Sequence, residues 1–186
     1  MTSVPDDALL EAVDRIGRTS WSGQTHRYTT ARREALSGVG ARLFGGRYNP
    51  PDLFPTIYLA QPVQACMREL ARAAEDRHLT VQELLTIPHV LHTIELVDVQ
   101  VLDLTVSATQ DILGLDVDDL RGEWQPCQAV GHAAWFLEFQ GVLAPSAVGA
   151  GVTLALFEHR TTPGQVTGIT TTPIDYASYE SLKRPT

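Results

Sequence analysis

Residues 124–157, WQPCQAVGHAAWFLEFQGVLAPSAVGAGVTLALF, decide the fold class. The segment 124–139 is the most helical long stretch of the chain, with Pro126 near its start and Gly141 just past its end. Two apolar runs follow, Val142-Leu143-Ala144 and 152–157, each short enough for a central strand. One helix followed by two strands breaks the alternation that a doubly wound parallel sheet requires, so a mixed α+β architecture is expected.

Working outward, Leu9, Leu10, Val13 and Ile16 recur at helical spacing behind Asp6-Asp7 and predict a helix over 6–17. The β formers of 26–30 (HRYTT) predict a strand. Residues 37–51 (SGVGARLFGGRYNPP) read as an ordered loop whose Leu43, Phe44 and Tyr48 pack against a core. Residues 56–60 (TIYLA) predict a strand, and Pro62 suits the first turn of a helix that ends near Asp76. Its apolar stripe is Val63, Cys66, Met67, Leu70, Ala71 and Ala74. Capping boxes are expected at Thr80-Val81-Gln82-Glu83 and at Ser107-Ala108-Thr109-Gln110, the second closed by Gly114. Alternation at Val90, His92, Ile94 and Leu96 predicts a half-buried strand continuing through 99–104. A strand over 165–172 and a terminal helix over Tyr176–Leu182 complete the chain.

A chain of 186 residues is most economically one domain, 1–186, able to bury about 70% of its unfolded surface without staples. Fourteen Lys and Arg against 22 Asp and Glu give −8, which disfavours nucleic acid or an anionic membrane as the main partner. Hydrophobic residues at 44% and charged ones at 19% exclude wholesale disorder. Cys66 and Cys127 cannot form a disulfide framework and read as small buried apolar residues. The first residues lack a basic, then unbroken apolar stretch, and no window approaches ~18 uncharged apolar residues. A soluble, cytoplasmic protein without a leader is expected.

The common chemical signatures fail. Gly38-Val39-Gly40 and Gly149-Ala150-Gly151 each lack the third glycine of a dinucleotide fingerprint, and no Gly-Lys phosphate loop occurs. The six histidines show no metal-ligand spacing, so no metal is expected. What stands out is GGRYNPP, where glycines and prolines hold Arg47 on stiff backbone that a ligand can approach closely. The same arginine also reads as a solvated loop side chain. Glu69 sits at the edge of a helix's apolar stripe, where Arg68, Arg72 or Arg77 could pair with it. Arg27 and Tyr28 in one strand, Tyr58 in the next and Ser146 in a turn are individually weak signals.

In order along the chain, Arg47 in GGRYNPP, Tyr58 in IYLA, Glu69 in ACMREL and Ser146 in APSA resemble the RES domain. The blocks WSGQTHRYT, ALSGVGARLFGGRYNPP and CQAVGHAAWFLEFQGVL are similar to its actinobacterial branch, and the resemblance covers about 21–157. The three residues that name the family would fall on Arg47, Glu69 and Ser146. The resemblance implies a toxin held by an Xre-type antitoxin that occludes its active site. It implies a split β-sheet with flanking helices, related to ADP-ribosyltransferases such as diphtheria toxin. It also implies an enzyme without a cofactor that cleaves the nicotinamide–ribose bond of NAD+, with inorganic phosphate as acceptor and ADP-ribose 1″-phosphate as product. Hydrolysis of NAD+ and ADP-ribosyl transfer to a protein are the alternatives within this chemistry, and a non-catalytic partner-binding domain is the alternative outside it. In these terms Glu69 would face the oxocarbenium-like ribose, and Arg27 and Arg47 would hold phosphate or pyrophosphate. Tyr28 and Tyr58 would flank the nicotinamide, and Ser146 would hydrogen-bond within the site.

Overall fold

Strand β3 (His89–Asp103) is the element around which the computed structural model, describing residues 4–184, is arranged. Met1–Ser3, within the stretch read for a leader, and the last two residues of the expected 1–186 domain lie outside the described residues. β3 runs antiparallel to β1 (Thr19–Thr30) from His89↔Thr30 to Val101↔Thr19. It is also antiparallel to β6 (Val166–Ile174), from His89↔Ile174 to Leu96↔Val166. At Val101, Leu102 and Asp103 it pairs in parallel with β4 (Gly141–Pro145). β5 (Val152–Phe157) lies between β4 and β2 (Thr56–Gln61), antiparallel to both. Among the described residues β1 and β2 pair only at His26↔Ala60. The six-stranded order is therefore β1-β2-β5-β4-β3-β6, closed by the β1–β3 pairing. Two three-stranded antiparallel ribbons are joined along short seams, in a mixed α+β fold.

Period-two alternation explains which layers form. Ile57 and Leu59 of β2 share a strand-only core with Ile94, Leu96, Val99, Val101, Leu143, Leu154 and Leu156. The opposite faces of β4 and β5, through Val142, Ala144, Ala155 and Phe157, pack on Cys127, Val130, Ala133 and Ala134 of α7 (Gln125–Phe136). α1 (Asp7–Ile16) joins this layer through Val13, and Asp6 caps it by accepting the Leu9 N–H at 3.1 Å. α3 (Val63–Glu75) buries Cys66, Met67, Leu70 and Ala74 against Ala60, Leu91 and Ile174. α8 (Tyr176–Leu182) closes that layer with Tyr179. Each Leu- or Val-sized side chain so buried contributes about 1.5–3 kcal/mol. No helix among the described residues is long and apolar enough to cross a membrane.

Some local expectations hold and others do not. α4 (Val81–Leu84) opens on the Thr80–Glu83 capping box, and Gly114 closes α5 (Ser107–Leu113) in the left-handed conformation at φ 64. The second expected box does not form, because Val106 is the cap and Gln110 donates to the Leu104 carbonyl at 2.6 Å instead. An unanticipated box does form, between Asp116 and Asp119, opening α6 (Val117–Arg121). α7 stops at Phe136 and Glu138 takes the left-handed position at φ 62, so Gly141 is no helix cap. Gly141 opens β4 instead, where a Cβ would come within 2.6 Å of the Ala155 carbonyl oxygen. The loop 37–51 contains a short helix, α2 (Val39–Phe44), that turns Leu43 and Phe44 outward at 49% and 80% exposure while Tyr48 is buried. The His26–Thr30 strand begins earlier than expected, at Thr19.

One close approach fixes α7 to the rest of the molecule. A Cβ built at Gly131 would overlap the Tyr48 carbonyl oxygen and come within 2.6 Å of the Tyr48 carbonyl carbon and 2.9 Å of its Cα. Backbone lies against backbone here, so no side chain can rotate away. Gly131→Ala should therefore cost about 1–3 kcal/mol through overpacking. In a domain of this size that lowers Tm by roughly 2–12 °C. Thermal unfolding followed by circular dichroism checks it, with an unchanged Tm refuting the close contact.

Candidate active site

A cavity of about 420 Å³ opens where β1 and β2 part. β1 contributes Arg27 and Tyr28, the GGRYN turn contributes Arg47, β2 contributes Tyr58, and α3 contributes Glu69. Five of the six residues singled out in the sequence thus share one concave surface. Ser146, the sixth, is not on the wall. It is buried between two lining residues, Pro145 and Ala147, and its Oγ accepts the Val148 N–H at 3.4 Å.

The turn carrying Arg47 is held from all sides. Gly46 and Asn49 exchange backbone hydrogen bonds at 2.9 and 3.3 Å. The Tyr58 hydroxyl accepts the Tyr48 N–H and donates to Asn49 Oδ1, both at 2.8 Å. Asn49 Nδ2 donates to the Ala41 carbonyl at 2.8 Å, and Gln128 Nε2 of α7 donates to the Gly46 carbonyl at 2.9 Å. Gly46 is obligatory, since a Cβ there would overlap the Tyr58 hydroxyl. Gly45 supplies the positive φ of 74° that starts the turn. Donor and acceptor of Tyr58 are both engaged, so its ring, rather than its hydroxyl, is what it offers the cavity.

The two expected anion-binding arginines also bind backbone. Arg47 donates through Nη1 to the carbonyls of Asp119 (3.4 Å) and Gly122 (3.1 Å), and through Nη2 to Arg121 (3.2 Å), gathering carbonyls at the C-terminus of α6. Arg27 donates to the carbonyls of Ala35 (2.8 Å) and Ser37 (2.9 Å). A guanidinium has five N–H donors, so each retains hydrogens for a ligand.

Glu69 is half-buried, and among the described residues no arginine or lysine nitrogen lies within 4.0 Å of it. The ion pair with Arg68, Arg72 or Arg77 that its position allowed is not made. Arg68 instead donates to the Ala150 carbonyl, holding the β4–β5 turn. Burial raises the Glu69 pKa above its ordinary value, and the charges of Arg72 and Arg47 pull it back. Burial also lifts the Tyr28 and Tyr58 phenols well above their usual range and pushes the Cys66 thiol up to about 12. Both tyrosines are neutral at physiological pH, and Cys66 at the cavity wall is no thiolate nucleophile. No group of three His, Cys, Asp or Glu among the described residues could hold a metal ion.

Arg72, Asp76 and Trp124 also line the cavity and escaped the sequence reading of the site. Arg72 and Asp76 were detectable, lying three and seven residues beyond Glu69 on one helix face. Trp124 carried no signal, because its place on the cavity wall depends on how α7 packs over the turn.

Residues 13–176 match the family model described as the RES domain. Proteins named NAD(+) phosphorylase MbcT from Mycobacterium bovis and from two strains of Mycobacterium tuberculosis are each 47% identical to this chain over 184 residues. Those alignments cover 98% of this chain and 99% of theirs. The crystal structure of the M. tuberculosis MbcT–MbcA toxin–antitoxin complex matches with a TM-score of 0.90 and 48% identity, over 96% of this chain and 98% of that one.

The burial of Glu69 has a sign that can be measured. A carboxyl whose folded pKa lies above its unfolded value destabilises the fold as pH rises through that window and the charge forms. Glu69→Gln removes the charge, so its Tm should exceed that of the wild type at pH 7–8. The difference should shrink as the pH falls toward the ordinary carboxyl value of 4.5. Scanning calorimetry across this range checks the trend, and a Tm advantage growing toward low pH would contradict it.

Proposed function

The chain belongs to the RES domain family, and we propose that it is a toxin that degrades NAD+ by phosphorolysis, yielding nicotinamide and ADP-ribose 1″-phosphate. The observation that carries this proposal is the convergence of Arg27, Tyr28, Arg47, Tyr58 and Glu69 on one cavity. The two ribbons joined by short seams support an ADP-ribosyltransferase-like description of the sheet, with the cavity at the split.

Each residue has a role that its surroundings support. Cleavage of the C1′–N bond sends the bonding electrons to nicotinamide, which leaves neutral, and puts positive charge on the ribose. Glu69, half-buried and without an ion-pair partner among the described residues, supplies the opposing charge. Two unit charges ~4 Å apart at an effective dielectric of 20 attract by about 4 kcal/mol. That sets a ceiling of roughly 10³ on its share of the rate. The remaining N–H hydrogens of Arg27 and Arg47 hold anionic oxygens of substrate or acceptor. The rings of Tyr28 and Tyr58 flank nicotinamide. A phosphate oxygen then forms the new bond to C1′. Ser146 acts from behind the wall, through the turn it stabilises.

The test is turnover of NAD+ with and without inorganic phosphate, with products identified by mass. A rate that rises and saturates with phosphate, giving ADP-ribose 1″-phosphate, is expected, together with a fall of at least about 100-fold in Glu69→Gln. Plain ADP-ribose at a phosphate-independent rate would make the chain a hydrolase, and unimpaired Glu69→Gln would remove that residue from the chemistry.

The partner that fits this chain is an Xre-type antitoxin that inserts a segment at the cavity mouth, near Arg47 and Glu69. The wall includes Trp124, 44% exposed, and α2 reaches it through Ala41 while exposing Phe44. NAD+ and antitoxin should therefore compete. Calorimetric titration of NAD+ into the complex should show binding at least tenfold weaker than to the free toxin, and undiminished affinity would rule out occlusion.

A further inference from the structure

Three arginines line the cavity, and one of them is uncommitted. Arg27 and Arg47 spend donors on backbone carbonyls of the 31–38 segment and of α6. The Arg72 guanidinium has no hydrogen-bond acceptor among the described residues, and no carboxylate there comes within 4.0 Å of it. It lies one helical turn beyond Glu69 in α3, four residues before the capping residue Asp76. Among the charged groups acting on the Glu69 carboxyl, Arg72 has the largest influence, ahead of Arg47.

The chemistry of the acceptor makes that position informative. A phosphate attacking C1′ must come close to the carboxylate that stabilises the ribose, and the two anions repel. A cation within reach of both offsets the repulsion, and a planar fork with free hydrogens can also orient a phosphate oxygen. Water needs neither service. We propose that Arg72 binds the acceptor phosphate and so selects phosphorolysis over hydrolysis. This rests on the phosphorolytic function proposed above and adds to it the residue that chooses the acceptor.

The experiment compares wild type with Arg72→Gln and Arg72→Lys, measuring KM for phosphate at saturating NAD+, KM for NAD+ at saturating phosphate, and the ratio of ADP-ribose to its 1″-phosphate. Loss of a charge-assisted hydrogen bond should raise the phosphate KM of Arg72→Gln about 10- to 150-fold. The NAD+ KM should stay within about twofold, and the products should shift toward ADP-ribose. Arg72→Lys, which keeps the charge and serves if the glutamine variant folds poorly, should show a smaller rise. An unchanged phosphate KM overturns the assignment, as does a rise confined to the NAD+ KM, which would put Arg72 on the pyrophosphate. If wild-type turnover proves indifferent to phosphate, the phosphorolytic function itself fails. Calorimetry with inorganic phosphate then judges the site alone: wild-type binding lost in Arg72→Gln supports it, and identical titrations refute it.

Discussion

The Tyr58 hydroxyl, accepting the Tyr48 N–H and donating to Asn49 Oδ1, is the interaction on which the arrangement of the site depends. It couples a strand of the sheet to the turn that carries Arg47. Through that turn it also reaches α7, whose Gln128 holds the Gly46 carbonyl, and α6, whose final carbonyls Arg47 gathers. A buried donor and a buried acceptor left without Tyr58 would each cost about 1–3 kcal/mol, so the turn has no cheap alternative conformation. This part of the cavity wall is therefore held firmly in place.

Charge is distributed so that this surface differs from the molecule as a whole. The chain carries −8, yet the cavity is lined by three arginines, Arg27, Arg47 and Arg72, against two carboxylates, Glu69 and Asp76. At physiological ionic strength dissolved salt screens charges more than roughly 8 Å apart, so distant acidic residues weigh little against the arginines of the wall. An anionic substrate can be held by short-range forks on a protein whose overall field repels it. The same contrast explains why net charge, read from the sequence, disfavoured polyanions as main partners without bearing on a phosphate-bearing small molecule.

Much of this was legible in the sequence, for identifiable reasons. Tyr176–Leu182 and the Thr80–Glu83 box were visible because periodicity and capping chemistry are local. Arg47 and Glu69 were visible because each sits oddly, one among glycines and prolines, the other beside an apolar stripe. What stayed hidden depends on tertiary choice. Gln110 could have accepted the Ser107 N–H in a capping box but donates to the Leu104 carbonyl instead. Leu43 and Phe44 looked like core residues, but α2 rotates them outward so that Ala41 can face the cavity. The commitment of Arg27 and Arg47 to backbone carbonyls has no sequence signature at all.

The contact between Gly131 and the Tyr48 backbone carries a genetic consequence. Every replacement at position 131 adds a Cβ, and the displaced group would be the turn that presents Arg47. If the chain is the toxin proposed above, substitutions on the cavity wall are only the obvious ways to silence it. Gly131 is not among the residues lining the cavity, yet any replacement there presses on the Tyr48 backbone. A change at position 131 would therefore reach Arg47 from a place that a map of the cavity alone would overlook.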